Sequence, residues 1–304
     1  MTEISSGTTQ VRNATLIGIG LALFSVLLFT INNALGKLTI ATLPIGEFLF
    51  LRSLTSLILL APFCWRAGWA LFRAAPRPGL QVLRVMLSIV EIGCFYWAVS
   101  HLPLADTLTL WLAAPIYITA FSALLLGEKV GWRRWTAVLV GFAGVMLVMR
   151  PSAASFTWPA LVGVIGGIVY AGGLLLTRQL RSTPDIVLLS GNIFGLLIFG
   201  MASLPFAFVT PSPREGAILV VMGIFSVVGS LYFIRALKLA PASIVAPYKN
   251  TMIIWGVLFG YLLFGDVPDA MTIAGATIII GASLYIFLRE QKLGKQIVVE
   301  PPDA

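Results

Sequence analysis

The sequence predicts an all-α integral membrane protein of ten transmembrane helices, formed by two inverted five-helix repeats. Three observations carry this expectation. Of 304 residues, 59% are hydrophobic and only 11% are charged, with a mean hydropathy of +0.98, outside the usage of soluble domains. Ten apolar runs of spanning length follow one another, and the first five are echoed by the last five.

Crossing about 30 Å of hydrocarbon at about 1.5 Å per residue takes roughly 20 helical residues. Runs of that order fall near 14–36, 46–65, 80–100, 104–126, 132–149, 158–177, 186–209, 215–236, 242–264 and 268–288. The first is too long for a signal peptide and ends in "NNALGK" rather than a small-residue cleavage site, so it is expected to remain as an anchor. Connections such as "SHLPLAD" and "KLAPAS" are short enough to make neighbouring helices antiparallel hairpins. Pro103 and Pro241 stand near helix starts there, where a missing N–H costs little. The runs lack the alternation of barrel strands, which leaves helices as the spanning element. No connection is long enough for a separate soluble domain, and Cys64 and Cys94 lie inside apolar runs, which argues against a disulfide framework.

Orientation follows from the basic residues. With the N-terminus inside, fifteen of the 20 Lys and Arg residues fall on cytoplasmic segments and adjoining helix ends, among them Arg66 to Arg84, Lys129 to Arg134 and Arg289 to Lys295. Lys37, Arg150 and Arg214 fall on the opposite side, while Arg52 and Lys249 lie within spans. The positive-inside rule therefore puts both termini in the cytoplasm. The net charge of +8 reads as topology and attraction to anionic lipid headgroups, not as a nucleic-acid signal.

The repeat is visible residue by residue. A shift of 138 brings Ala98 onto Ala236, Pro103 onto Pro241, Phe121 onto Phe259, Gly127 onto Gly265 and Glu128 onto Asp266. An earlier pair aligns at a shift of 141, with Phe29 on Tyr170 and Lys37 on Arg178. The expected units are residues 1–150, residues 151–290 and a cytoplasmic tail, 291–304. An odd number of helices per unit makes the second enter the membrane from the opposite side, and inverted repeats around a midplane site are a transporter architecture.

The first copy's "LLLGEKVGWRRWTAVLVGFAGVMLV" and the second's "YLLFGDVPDAMTIAGATIIIGASLYIF" resemble the repeated domain of EamA-type transporters, in the drug/metabolite transporter superfamily. The resemblance covers essentially the whole chain. It implies a secondary transporter that exports amino acids or related small metabolites across the inner membrane by alternating access, similar to the aromatic and broad-specificity amino-acid exporters. The second copy departs in having Asp266 for Glu128 and in lacking the basic cluster of "EKVGWRRW", a difference that inversion and charge bias account for.

Candidate site residues are polar or aromatic side chains inside spans, each costly unless it faces protein or water. They are Lys249, with Tyr248 and Asn250 beside it, Trp111, Glu91, Asn33 and Tyr170. Lys249 coincides with Trp111 under the shift of 138, so the two equivalent helices offer a cation and an aromatic at matching depth, a pair suited to a zwitterion with a side chain. Each has a plainer reading. Lys249 could snorkel to headgroups, Glu91 could be a bundle-stabilising carboxyl or carry a coupling proton, the aromatics could be packing or interface anchors, and Asn33 could be interhelical glue. Arg52 is expected to snorkel or to pair with nearby Glu47. A lipophilic-cation exporter, proton-coupled through Glu91, is the competing transporter reading, and it requires an unpaired carboxylate where an amino-acid exporter requires a cation. The lone His101 and the absence of HExxH, GxSxG and CxxC patterns argue against an enzyme, a metal or a cofactor.

Topology is open to direct measurement. In a background lacking Cys64 and Cys94, a cysteine at Ser155 should be labelled by an impermeant maleimide on intact cells and one at Gln291 should not; the reverse pattern inverts the assignment.

Overall fold

The computed structural model describes residues 2–125, 131–149, 158–180, 182–239 and 245–297. Each apolar run folds as helix, because a chain in hydrocarbon must satisfy its backbone N–H and C=O groups within its own segment. The first half contains α1 (Thr2–Thr39), α2 (Ile45–Ala67), the short α3 (Trp69–Arg73), α4 (Pro78–His101), α5 (Leu104–Leu112), α6 (Ala114–Leu125) and α7 (Trp132–Met149). The second contains α8 (Trp158–Gln179), α9 (Asp185–Ser203), α10 (Pro213–Leu239), a 3₁₀ turn (Ala246–Asn250), α11 (Thr251–Phe264) and α12 (Ala270–Ile297). The loop of the first repeat motif, with Gly127, Glu128 and Lys129, lies outside the described residues, as do Ser155 and Pro241.

Among the described residues nine segments are long and apolar enough to span, and three differences from the sequence expectation have backbone causes. The fourth run is two helices with a break at Ala113: Pro115 has no N–H for the Trp111 carbonyl, and the amides of Ile116 and Tyr117 both turn to the Ala113 carbonyl at 2.9 and 3.3 Å. The run around 242–264 is described as the 3₁₀ turn leading into the 14-residue α11, and Pro247 within the turn likewise supplies no N–H. The seventh run's helix stops at Ser203, and Pro205 just beyond it has no N–H to continue the ladder. Under the shift of 138 the 3₁₀ turn that carries Lys249 corresponds to residues 108–112, which carry Trp111 and end at the break at Ala113.

The principal helix pairs all join one half to the other: α1 with α10, α4 with α8, α2 with α9, and α7 with α12. Exchanging the halves turns the first pair into the second and leaves the other two unchanged. Small residues permit the close approaches. A Cβ on Gly275 would lie 2.8 Å from the Gly144 carbonyl oxygen, and one on Gly144 would lie 3.0 Å from that of Gly275. At the centre stands α5, buried at every position from Leu104 to Leu112.

One end of the bundle is clasped by Lys37, the last cation of α1. Its Nζ donates to Asp266 Oδ2 at 3.0 Å, just past α11, and to the Leu102 carbonyl at 2.9 Å, just past α4. The same ammonium stands 4.5 Å from the centre of the Phe264 ring. The expected Arg52–Glu47 pair does not form: Arg52 Nη1 reaches the Tyr96 hydroxyl at 3.4 Å, and Glu47 Oε2 accepts from the Val209 amide at 2.9 Å. Five residues along a helix rotate the two side chains by about 140°, which points them apart.

The clasp should be measurable as a coupling. With Lys37 and Asp266 side chains only 14% and 27% exposed, a double-mutant cycle of Lys37→Met and Asp266→Asn, read by unfolding in detergent, should return about 1–2 kcal/mol. A coupling near zero would make the pair a passive contact.

Candidate functional site

The candidate site gathers four of the sequence-derived residues from four separate elements. Glu91 lies near the middle of α4, Trp111 at the end of α5, Tyr170 within α8 and Lys249 on the 3₁₀ turn. Trp111 Nε1 donates to Glu91 Oε1 at 2.7 Å, and Lys249 Nζ donates to the Tyr170 hydroxyl, standing 5.1 Å from the centre of that ring. Lys249 and Arg52 are both near enough to Glu91 to attract it electrostatically. The ammonium is thus turned into the bundle towards partners on α4 and α8, and not along its own helix towards a bundle end.

Local packing fixes Trp111. It is 8% exposed and meets Phe95 edge-on, with ring centres 5.0 Å apart. Phe95 in turn meets Tyr96 at 5.2 Å, and Tyr96 meets Phe48 of α2 at 4.6 Å. Such edge-to-face pairs set ring orientation as well as burying area. On the other side the indole lies against Gly166 of α8, where a Cβ would come within 2.6 Å of Trp111 Cζ2 and 2.9 Å of Cys94 Cβ. The glycine is the seat of the tryptophan.

Beside this cluster a cavity of about 160 Å³ opens between α4, α8 and α9, lined among others by Arg84, Ser88, Glu91, Tyr170, Thr177 and Asn192. Arg84 and Asn192 were missed as site residues in the sequence. Arg84 counts in the sequence as a topological charge, and Asn192 falls in "GNIFG", whose two glycines have the spacing of close helix packing. The available signal was spacing, since residues 84 and 91 are two helical turns apart on one face, as are 170 and 177.

The remaining candidates stand apart from these contacts. Tyr248 and Asn250 are half-buried on the 3₁₀ turn, and among the described residues no side-chain hydrogen bond joins them to the cluster. Asn33 is half-buried on α1, while its neighbour Asn32 is buried and donates to the Met222 carbonyl of α10 at 2.6 Å, the interhelical glue expected of an amide in a span. Tyr232 is exposed on the bundle surface against Phe24 at 5.6 Å, as an interface aromatic would be. Among the described residues no group of three His, Cys, Asp or Glu side chains is placed to hold a metal ion.

Comparison with known proteins gives one family and several relatives. The model of the EamA-like transporter family matches residues 16–150 and again 157–288. The Pseudopaline exporter CntI of Pseudomonas aeruginosa (strain UCBPP-PA14) is 33% identical over 277 residues, 88% of this chain and 95% of that protein. An S-adenosylmethionine uptake transporter of Rickettsia prowazekii is 27% identical over 90% of this chain and 94% of its own length. A riboflavin transporter of Rhizobium johnstonii is 28% identical, covering 76% and 77% respectively. A solved crystal structure shares the fold with a TM-score of 0.62 at 17% identity, over 93% of this chain and 99% of that one.

The seat of Trp111 generates a stability test. Gly166→Ala should lose about 1–3 kcal/mol through overpacking, measured by unfolding in detergent. Gly172→Ala, on the same helix and only 3.5 Å from a Leu87 methyl, should match the parent or gain up to about 1 kcal/mol of helix propensity. Equal behaviour of the two would mean that the indole is not held by Gly166.

Proposed function

The chain belongs to the EamA-like transporter family, and from that premise we propose that it exports a small zwitterionic metabolite, an amino acid or a relative of one, by alternating access. Members of the family are transporters and not enzymes, and the chain is a multi-pass membrane protein that moves small molecules. The finer reading is ours. It takes the ten runs as two inverted five-helix units, residues 1–150 and 151–290, in the inner membrane with both termini cytoplasmic.

One observation carries the substrate class: Lys249 stands on a 3₁₀ turn, turned inward, with Glu91 within electrostatic reach. A substrate carboxylate exchanges the neutral Tyr170 partner of Lys249 for a charged one, and a substrate ammonium finds Glu91. Trp111 and Tyr170 offer aromatic faces to the rest. At an effective dielectric near 20, unit charges about 4 Å apart attract by about 4 kcal/mol before desolvation, so a fraction of that suffices for a weak, fast-releasing site. Glu91 holds either the substrate ammonium or a proton, which is the simplest coupling device the cluster permits. Discontinuous helices beside a midplane site supply the mobile backbone that alternation needs.

The lipophilic-cation reading fits less well. It asks for a free carboxylate, whereas Glu91 accepts from Trp111 and is attracted by two cations.

Lys249→Met keeps most of the stem and removes the charge; Lys249→Arg keeps the charge and changes the donor geometry. Both should insert normally. In proteoliposome counterflow with a labelled amino-acid panel, Met should lose at least tenfold in flux and Arg should retain part of it. A Met variant that folds and moves every transported amino acid at parental rate and affinity would leave Lys249 no part in binding.

A further inference from the structure

We propose that Arg84, with Asn192, forms a second anion-binding subsite two helical turns along α4 from Glu91, and that the substrate therefore carries more carboxylates than amines. This rests on the central-site reading above and extends it to the substrate's net charge.

The observations concern a guanidinium with too few partners. Arg84 is 7% exposed, yet the hydrogen bond described for it is the one from Nη2 to the Leu188 carbonyl at 2.7 Å, and its buried Nε has no partner. Among the described residues it forms no ion pair. Asp185 borders an adjoining cavity of about 270 Å³ that Arg84 also lines, without approaching to ion-pair distance. A charged donor held out of water without a counter-ion is costly, and in membrane proteins such groups mark substrate pathways. Asn192 lines the same two cavities, and the NH2 of its amide is the end that can donate to an anion beside the guanidinium.

Geometry joins this pair to the central cluster. Arg84 and Glu91 share one face of α4, and Tyr170 and Thr177 share one face of α8, so the groove between them has two polar levels about 10 Å apart. Glu91 and Tyr170 form the inner level and Arg84, Thr177 and Asn192 the outer. Charge then decides the class of ligand. Arg84 lines the groove and Lys249 and Arg52 act on its inner level, against Glu91 there and Asp185 on the adjoining cavity, which leaves one positive charge in excess. A neutral zwitterion satisfies Lys249 and Glu91 and leaves Arg84 unmatched. An elongated amino acid with a further carboxylate about 10 Å from its head group matches both levels, and a planar guanidinium is the side chain suited to hold that carboxylate in two-point fashion.

The test uses the full-length protein in detergent and γ-glutamylglutamate as probe, which has three carboxylates and one amine, set against leucine and glutamine. Affinities come from competition against a labelled ligand drawn from the transported panel. The parent should bind γ-glutamylglutamate at least tenfold more tightly than either neutral amino acid. Arg84→Gln should bring that ratio close to one and Arg84→Lys should retain part of it. An equal affinity for all three in the parent, or a preference that survives Arg84→Gln, would overturn the subsite. If Arg84→Gln does not fold, the parental ratio together with Arg84→Lys and Asn192→Leu decides, an undiminished ratio in both variants counting against it. Loss of all binding in Lys249→Met together with a flat parental ratio would sink the subsite alone. Full binding in Lys249→Met would sink the central-site reading beneath it.

Discussion

The need to accommodate an ammonium and a carboxylate, both half-buried inside the bundle, organises its centre. Lys249 and Glu91 belong to different halves of the chain, and neither tolerates hydrocarbon alone. Keeping both inside requires donors and acceptors around them, and the fold supplies Trp111 for the carboxylate and Tyr170 for the ammonium. Because those two partners come from α5 and α8, the cluster can form only where four elements from both halves converge. The burial of the whole of α5 follows from this: its role is to bring an indole to the middle of the protein, so it has no lipid-facing side.

Glycine and aromatic residues do the positioning. The indole needs a slot on α8, which Gly166 provides, and a wall on α4, which Phe95 provides. The edge-to-face series from Trp111 through Phe95 and Tyr96 to Phe48 then ties the central site to α2, and Arg52 on that helix reaches the same Tyr96. In a membrane, where apolar burial hardly distinguishes a neighbouring helix from lipid, such shape-specific contacts are what select one helix pairing over another.

Much of this was legible in the sequence for a physical reason: in an apolar run any polar residue stands out, so Lys249, Glu91, Trp111 and Tyr170 could be singled out without a structure. That they meet could not be read, because pairing of α4 with α8 depends on topology and not on local pattern. The break at Ala113 was also hidden, since the apolar run continues on both sides of Pro115 at spanning length. Asn33 and Asn32 show the limit at finer scale. Adjacent helical residues point about 100° apart, and composition does not say which of the two faces a neighbouring helix. Arg84 drew no attention as a site candidate because a cation near a span's end usually serves topology, and its burial with an unpartnered Nε is visible only in the structure.

The two ends of α4 differ in a way that bears on alternation. At its C-terminal end the Leu102 carbonyl is held by Lys37, which also grips Asp266, so α1, α4 and the loop after α11 are drawn together there. Towards its N-terminal end the polar groove past Arg84 stays open between α4, α8 and α9. A larger cavity of about 420 Å³, lined among others by Leu102, Pro103 and Asp106, lies at the clasped end, so the two ends differ in what lines them and not in having a hollow. The break at Ala113 and the 3₁₀ turn of Lys249 lie between the two ends. Rearranging them moves the site's own ligands, so in this reading occupancy of the Lys249–Glu91 pair and release of the clasp are coupled through the same short stretches of irregular backbone.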